Sequence, residues 1–339
     1  MTRLLAYALL AATAAALIGA TPSRTARYSV AGSIAGPDGG WDYASVDATT
    51  GQVYVARSTG VTVIDPAHPA AVRSIGTVVR GHSVVPMPDR NLLLVTSGGD
   101  DTVRLIDPAD GREVARIPVD HSPDAAFYDV VHHRAAVMNA KSGTVSVIDV
   151  PTRKVVRTIA LKPGLEFGQA GPGDTLFVNN EDANEIETAN LATGAVGPAI
   201  ALPGCEGPSG LAYDARRHWL ISACANAKAA VIDADTRREV ALLDIGQGAD
   251  AVILDARARL AFIPCGRSGS LTMIALASAV PTVVATIPTE PGARTGAVDP
   301  RTGTLYLPTA RFSPPLTTGG RRPVAQTGSF HVLVVKAGG

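Results

Sequence analysis

The sequence has no excess of charge of either sign, because 30 Lys and Arg residues balance 30 Asp and Glu residues. It also has no basic run with interleaved aromatics, which argues against nucleic acid as a partner. The patterns His-Glu-x-x-His, Gly-x-Ser-x-Gly, Cys-x-x-Cys and the Walker phosphate loop are all absent. Zinc-protease, serine-hydrolase, thioredoxin-like, c-type haem and phosphate-loop chemistry therefore have no support in the sequence.

Helical periodicity is also missing after the first twenty residues, and what replaces it is a repeat. A short apolar phrase, in most copies ending in Asp, recurs at intervals of 42, 42, 41, 43, 42 and 60 residues. The seven copies are Val63-Ile64-Asp65, Leu105-Ile106-Asp107, Val147-Ile148-Asp149, Thr188-Ala189-Asn190, Val231-Ile232-Asp233, Met273-Ile274-Ala275 and Leu333-Val334-Val335. A period near forty indicates propeller blades or a solenoid. The long last interval contains a Pro-, Gly- and Thr-rich stretch, which we interpret as a loop insertion.

Each repeat divides into four short β-rich runs separated by turn residues, the pattern of a four-stranded antiparallel blade. The sequence therefore predicts an all-β, seven-bladed β-propeller that forms a single domain over residues 21–339. The last repeat lacks a fourth strand, and Tyr28 to Ile34 has the composition of that strand. We expect the N-terminal strand to close the ring, because closure removes open sheet edges. A closed ring predicts a monomer, with a face-to-face dimer left open.

The first twenty residues have the pattern of a secretory signal peptide. Arg3 precedes an apolar run from Leu4 to Ile18, and Gly19-Ala20 offers a cleavage site before Thr21. An uncleaved N-terminal anchor is the alternative. Cleavage would place the mature protein in the periplasm or outside the cell.

Export would put the three cysteines in an oxidising compartment, where a pair can persist as a disulfide. The blade map places Cys205 in the loop that opens blade five and Cys224 at the end of its second strand, so these two are the expected pair. Cys265 is then a buried, inert thiol. Pairing of Cys265 with either of the other two remains the alternative.

Candidate functional residues lie where the loops between blades meet the channel, on the face that we call the top. The expected ligand-binding residues are Trp41, Asp42, Tyr43, Arg80, His82, His121, Asp124, Glu166, Glu206, Asp250 and Arg294. Trp41 is also a candidate packing wedge between blades. The aspartates of the opposite, bottom turns are expected to accept backbone N–H groups there, and they are Asp47, Asp129, Asp214, Asp255 and Asp299.

Two metal sites are conceivable on the top face. Glu166, Asn180, Glu206 and Asp250 could supply oxygen ligands to a divalent cation, although pairing with Arg80 or Arg294, or capping of backbone N–H groups, explains the same carboxylates. His82 and His121 could bind zinc or copper, but they lack a third ligand in register. We expect no cofactor, with a divalent cation as the alternative.

The second strands carry a family resemblance. They read Val53-Tyr54-Val55-Ala56-Arg57, Leu93-Leu94-Val95-Thr96-Ser97, Leu176-Phe177-Val178-Asn179-Asn180 and Leu305-Tyr306-Leu307-Pro308-Thr309. With the recurring Val-Ile-Asp and Gly207-Pro208-Ser209-Gly210, these segments resemble the YVTN repeats of exported, YncE-like bacterial seven-bladed propellers. The resemblance covers the mature chain. It implies the architecture and export, and it implies little about activity.

Two functions follow as hypotheses. The first is a non-catalytic scaffold in the cell envelope that binds a protein, peptide, glycan or small molecule. The second is a metal-assisted, lactonase-like hydrolase or a lyase that uses the central carboxylates, with His82 or His121 as general base. An electron-transfer partner is a third, but no cofactor-binding residues support it.

Overall fold

The computed structural model describes residues 27–313 and 324–338, and the expected signal peptide lies outside them. The described residues form seven four-stranded antiparallel sheets, and in six of them the inner strand comes first in the chain. This arrangement is a seven-bladed β-propeller, as the repeat predicts. The described residues contain one short helix, the 3-10 turn Pro88–Arg90.

The strands of blades one to four follow the chain order from the channel outwards. Blade one contains β2 (Trp41–Val46), β3 (Val53–Arg57), β4 (Gly60–Ile64) and β5 (Arg73–Ile75). Blade two contains β6 (Gly81–Met87), β7 (Leu92–Ser97), β8 (Thr102–Ile106) and β9 (Glu113–Pro118). Blade three contains β10 (Pro123–Asp129), β11 (Arg134–Asn139), β12 (Thr144–Asp149) and β13 (Lys154–Ala160). Blade four contains β14 (Leu165–Ala170), β15 (Thr175–Asn180), β16 (Glu185–Asn190) and β17 (Ile200–Ala201).

Blades five and six repeat the order, and blade seven uses both ends of the described chain. Blade five contains β18 (Pro208–Asp214), β19 (Trp219–Cys224), β20 (Lys228–Asp233) and β21 (Arg238–Asp244). Blade six contains β22 (Ile253–Asp255), β23 (Leu260–Cys265), β24 (Ser270–Ala275) and β25 (Thr282–Pro288). Blade seven contains β26 (Ala297–Val298), β27 (Leu305–Thr309), β30 (His331–Ala337) and β1 (Tyr28–Ala35). A small hairpin of β28 (Phe312–Ser313) and β29 (Val324–Ala325) lies between β27 and β30.

The N-terminal strand closes the ring. β1 pairs antiparallel with β30 from Tyr28 opposite Ala337 to Ala35 opposite His331. This pairing supplies blade seven with its fourth strand and confirms the expected closure.

Blades four and six depart from the consensus phrase in the sequence, and each has one short strand. In blade four β17 has only two residues, and in blade six the inner strand β22 has three. Strands as short also occur in blade one, where β5 has three residues, and in blade seven, where β26 has two. The ring is complete despite these irregularities. The core lies between the blades, where the second and third strands are almost wholly buried.

The bottom-turn aspartates have the predicted structural role. Asp47 accepts hydrogen bonds from the backbone N–H groups of Thr49 and Thr50. Asp255 accepts in the same way from Arg257 and Ala258. These carboxylates therefore hold the turns between first and second strands.

Candidate functional site

In blades one to six, a β-bulge near the start of the inner strand determines which side chains face the channel. In blade one, Trp41 pairs with Arg57 and Ala44 with Val55, so Asp42 and Tyr43 together oppose one residue. The same irregularity occurs in blades two to five. In blade six it separates the Ala249–Cys265 bridge from the Ile253–Phe262 pair. A bulge turns the extra residue out of the regular alternation, and here it directs one side chain per blade towards the axis.

We call the first bulge residue of each blade the ring position. The seven ring residues are Asp42, His82, Asp124, Glu166, Ser209, Asp250 and Arg294. In blade seven the assignment rests on spacing, because Arg294 precedes the bottom-turn Asp299 by the same five residues that separate Asp42 from Asp47. Six of the seven ring residues are ionisable, and residues far apart in the sequence therefore meet around one axis.

Ion pairs connect five members of the ring. His82 Nδ1 lies 2.7 Å from Asp42 Oδ2 and 3.8 Å from Asp124 Oδ1. Arg294 Nε donates to Asp250 Oδ2 at 2.7 Å, and its Nη2 lies 3.5 Å from Asp42 Oδ1. Asp42 is thus the hub between the imidazole and the guanidinium. The side chains of His82, Asp42 and Asp124 are only 15%, 18% and 20% exposed, so these pairs are shielded from bulk water.

Hydrogen bonds between neighbouring blades fix the backbone of the ring. Thr295 Oγ1 donates to the Asp42 carbonyl at 2.7 Å, which joins blade seven to blade one. Thr96 Oγ1 donates to the Asp124 carbonyl at 2.8 Å, and Ser209 Oγ to the Ala249 carbonyl at 3.3 Å. The ring residues are therefore held by neighbouring strands as well as by their own.

An aromatic pair lies beside the ring. Tyr43 of blade one packs edge-on against Phe167 of blade four, with 5.1 Å between the ring centroids. Both are second bulge residues, and blades one and four lie on opposite sides of the channel. Tyr43 is 6% exposed. The Tyr43 hydroxyl is not one of the fully buried polar atoms that lack a partner in the described structure, whereas His82 Nε2 is one of them. The ring and this pair together form what we call the central well.

Burial and mutual repulsion perturb the carboxyl groups of the well. Burial, together with the charges of Asp124, Glu181, Asp250 and Asp42, raises the pKa of Glu166 to about 10. Burial also raises the pKa of Asp124 to about 7, although the charge of His82 opposes this effect. Among the described residues the Glu166 carboxylate has no ion-pair partner. A carboxyl pKa that is strongly raised by burial and by specific neighbouring charges is typical of functional residues.

The other titrating groups of the well respond to the same carboxylates. Burial lowers the pKa of His82, but the hydrogen bond to Asp42 and the charges of Asp124 and Asp42 outweigh it, so that the pKa is raised. Burial raises the pKa of Asp250 against the opposing charge of Arg294. The pKa of Tyr43 is raised well above its usual value by burial and by all four carboxylates. The Tyr43 hydroxyl therefore lies within the field of the whole carboxylate set.

The remaining sequence candidates lie outside the ring. His121 is exposed and pairs through Nδ1 with Asp101 at 2.8 Å. Glu206 is exposed in the loop before β18, and Arg80 is exposed two residues before His82. Trp41 packs against Phe330 and Phe312, with centroid distances of 5.3 and 6.2 Å, at the boundary between blades one and seven.

The conceivable metal ligands do not converge as the sequence suggested. Asn180 is buried and donates to the Pro163 carbonyl and to Glu187. Glu206 is exposed in a loop, and His121 is engaged with Asp101. A different group of potential ligands does converge, since one ligand atom from each of Asp42, His82 and Asp124 lies within 4.8 Å of the others.

The disulfide joins Cys205 to Cys224, and Cys265 is a buried free thiol. Cys224 is the last residue of the second strand of blade five. In other blades the residue at this position donates hydrogen bonds to the loop that precedes the inner strand. Arg57 donates there to the Gly40 carbonyl and Asn180 to the Pro163 carbonyl. In blade six the residue four before the ring position is Gly246, whereas in blade five it is Cys205. Cys265 therefore has no thiol opposite it.

Sequence reasoning missed the bulge and its two consequences, the place of Ser209 in the ring and the role of Phe167. A signal for the bulge was present. The ring residues of blades one, three, five, six and seven stand five positions before the aspartates of the bottom turns. Counting back from those aspartates selects Asp42, Asp124, Ser209, Asp250 and Arg294, and it leaves out Arg80, His121 and Glu206.

Comparisons with known proteins identify the architecture and no more. No protein-family profile matches the chain, and no curated protein sequence matches it. A chain of hydrazine synthase from Kuenenia stuttgartiensis superimposes with a TM-score of 0.69 at 16% identity, covering 79% of this chain and 92% of that one. A chain of a mitotic checkpoint complex superimposes with a TM-score of 0.72 at 16% identity, covering 90% and 95%.

Likeness at this level of identity establishes the fold alone. Within residues 27–313 and 324–338, no helix has the length and apolar character needed to cross a membrane. The chain is a seven-bladed β-propeller with a disulfide in blade five and an ionisable ring at its axis.

Proposed function

We propose that this protein is an exported binding propeller of the YVTN-repeat type, which holds a ligand at its central well without transforming it. The observation that carries the proposal is the ring itself. The bulges of blades one to six and the equivalent position of blade seven bring six ionisable side chains to one axis. One of them, Glu166, has no ion-pair partner in the described chain. A few convergent polar groups beside apolar side chains are typical of a ligand site.

Export is supported by the leader pattern of residues 1–20 and by the disulfide. A disulfide between two buried cysteines is compatible with an oxidising compartment such as the periplasm. The second-strand phrases that resemble YVTN repeats lie in β3, β7, β15 and β27. We infer a monomer, because the closed ring leaves only short edges.

The ligand is a small molecule, or a protruding group of a peptide, glycan or envelope protein, since the well is narrow enough for Tyr43 and Phe167 to touch across it. One of the similar chains belongs to a mitotic checkpoint complex, and we extend from it only the general role of a propeller as a binding scaffold. The balanced charge of the chain argues against nucleic acid.

Nothing specific favours the hydrolase or lyase alternative. The four oxygen ligands conceived for a divalent cation are dispersed, with Glu206 exposed and Asn180 engaged with Glu187. Within the well, His82 is committed to Asp42 through Nδ1. Its Nε2 is buried without a hydrogen-bond partner in the described structure.

The test is a thermal-shift screen of the mature protein against fragments of anionic, cationic and neutral character. We expect stabilising fragments whose effect is lost in the variant Asp124→Asn/Glu166→Gln and retained in Asp182→Asn. Asp182 is an exposed carboxylate in the turn after β15, outside the ring.

Mass spectrometry of each bound fragment after prolonged incubation should recover it unchanged. Product formation that depends on ring residues would contradict the proposal, as would fragments that bind equally well to the ring variant. Export is tested separately by N-terminal sequencing of the secreted chain, which we expect to begin near Thr21.

A further inference from the structure

The bottom face presents one equivalent, exposed residue in each of five blades. In these blades the bottom-turn aspartate accepts the backbone N–H of the residue two positions later, and this bond holds that residue at the outer end of the turn. These tip residues are Thr49, Val131, Arg216, Arg257 and Arg301. All five are exposed. Blades five, six and seven are neighbours in the ring, so their three tip arginines form one basic surface.

The carboxylates of the same three turns lie beneath the arginines. Asp214, Asp255 and Asp299 are only 1%, 7% and 2% exposed, because they accept hydrogen bonds from the backbone of their own turns. The three turns contain five arginines and these three aspartates. The surface is therefore positive in total charge, and its outermost groups are cationic.

Neighbouring residues extend this basic surface. Antiparallel pairing puts the turn between the third and fourth strands on the same face. In blade five Arg237 and Arg238 are exposed there, beside Asp235, whose carboxylate is already paired with a histidine of the first turn at 2.8 Å. At the strand ends of blade seven Arg27 and Lys336 are exposed as well. The basic surface thus spans the bottom of blades five to seven.

The guanidinium groups of this surface keep donors for a partner. Arg257 gives Nη1 to the carbonyls of Pro300 and Arg301, and Arg301 pairs with Asp299. Arg216 has no ion pair or side-chain hydrogen bond within the described residues. Arg257 and Arg301 also line a hollow of about 320 Å³ between blades six and seven. A guanidinium has five N–H donors in a fork that matches phosphate oxygens, so this surface suits phosphate groups.

An apolar feature lies elsewhere on the same face. Val131, the tip residue of blade three, is 76% exposed, and Val130 beside it is 54% exposed. Val280, in the turn between the third and fourth strands of blade six, is also 54% exposed. A single exposed valine is ordinary on a protein surface. Two consecutive valines at the end of a turn, where other blades carry Thr or Arg, present apolar surface to a partner.

The positions of the two features favour an extended partner. Blade three lies across the channel from blade six, which is the middle of the basic surface. A soluble acidic segment bound to the arginines would leave Val130 and Val131 in water. A phospholipid bilayer offers phosphate groups in one plane with hydrocarbon beneath them. Basic residues combined with inserted apolar side chains are how peripheral proteins bind anionic membranes.

We propose that the bottom face of the propeller docks on the surface of a bilayer that contains anionic phospholipid. Arg216, Arg257 and Arg301 contact lipid phosphates, and Val131 inserts among the headgroups. The ring on the top face, with four carboxylates and two cationic side chains, then faces away from the membrane. The inference goes beyond the proposed function and does not depend on the ring as a ligand site.

The test is co-sedimentation of the mature protein with vesicles of phosphatidylcholine alone and with vesicles in which one third of the lipid is phosphatidylglycerol. We expect binding to the vesicles with phosphatidylglycerol and none to pure phosphatidylcholine. Added salt should weaken the binding, because it screens the attraction between exposed charges. The ring variant Asp124→Asn/Glu166→Gln should bind these vesicles at least as well as the wild type.

A matched pair of charge variants locates the contact. Arg216→Gln/Arg238→Gln removes two exposed cations that have no side-chain partner within the described residues, so the fold should be unaffected. Binding should weaken by about 25-fold, or roughly fivefold for each basic residue near the lipid surface. Lys141→Gln/Arg267→Gln removes two exposed cations from loops of the top face and changes the net charge equally. This control should bind as the wild type does.

Valine variants test the insertion. Val131→Ser should weaken binding by about tenfold, the effect of keeping one valine side chain out of an apolar environment. Val79, 51% exposed in a top-face loop, is the control, and Val79→Ser should have no effect. An environment-sensitive fluorophore on Val131→Cys should shift to the blue when the anionic vesicles are added. The same fluorophore on Val79→Cys should not shift.

Each other outcome would overturn the inference. Failure to bind the anionic vesicles, or equal binding to pure phosphatidylcholine, would do so. Equal losses in the bottom-face and top-face charge variants would show that the contact is not at the bottom face. Binding of soluble polyglutamate that requires Arg216 and Arg238, without binding to vesicles, would replace the bilayer with an acidic protein partner. None of these results would affect the proposed ligand site, which is tested by the ring variant in the fragment screen.

Discussion

Replacing Glu166 by Gln should stabilise the protein, and more so at higher pH. The folded protein holds a proton on Glu166 up to a pKa of about 10, whereas the ordinary value is 4.5. Between those values the unfolded chain releases a proton that the folded chain retains. Unfolding is therefore favoured as the pH rises, and the wild type loses stability across this window. The Gln side chain has nearly the same shape and carries no proton to lose.

The magnitude follows from linkage. One proton of difference between the folded and unfolded states changes the free energy of unfolding by about 1.4 kcal/mol per pH unit. Between pH 6 and pH 8 the advantage of Glu166→Gln over the wild type should thus grow by at most about 3 kcal/mol. For a chain of this length that difference corresponds to a melting shift of roughly 4 °C.

The assay is urea unfolding of both proteins at pH 6, 7 and 8, followed by the circular dichroism of the sheets. Glu206→Gln is the matched control, because Glu206 is an exposed carboxylate on the same face and outside the ring. Its stability should run parallel to that of the wild type. A difference between Glu166→Gln and the wild type that is equal at pH 6 and pH 8 would refute the reasoning, since it would mean that Glu166 is already ionised at pH 6.

Three further predictions follow from the fold and the ring. Replacing Cys205 and Cys224 by Ser should lower the free energy of unfolding by about 3 kcal/mol in a denaturant titration, because the bond closes a loop over a separation of 19 residues. Equal stability of the wild-type protein with and without reductant would contradict this prediction. The substitution Asp42→Asn should lower the free energy of unfolding by about 3 kcal/mol in the same assay, because it breaks shielded contacts to His82 and Arg294. An unchanged unfolding midpoint would show that these ion pairs do not stabilise the protein. Deleting residues 28–35 should leave β30 as an open sheet edge, so that the protein elutes as aggregates on size-exclusion chromatography. A deletion variant that elutes as a stable monomer would contradict closure of the ring by β1.

The architecture could be predicted from the sequence because its signals are local. Strand residues, turn aspartates and the recurring apolar phrase are all short-range patterns, and their period sets the number of blades. Blade five illustrates this: the sequence places its inner strand at Ser209 to Tyr213, and β18 spans Pro208–Asp214. The pairing of β1 with β30 was also predictable, since an incomplete last repeat and an unassigned first strand complete one another.

The candidate site was predictable only in part, because side-chain direction depends on register. Asp42 and Arg294 were expected at the channel mouth and lie there, joined through a 3.5 Å contact. His121 was expected beside them, but it lies three residues before the bulge at Asp124 and pairs with Asp101 instead. A shift of one or two residues around a bulge decides whether a side chain reaches the axis. No short-range pattern reveals that Tyr43 meets Phe167 across the channel.

The most direct test of the central claim is a crystal structure of the mature protein. The account predicts that the ring residues converge at the axis, with His82 beside Asp42 and Asp124 and with Arg294 beside Asp42 and Asp250. Ring side chains that turn away from the axis, with the well filled by a neighbouring loop, would contradict it.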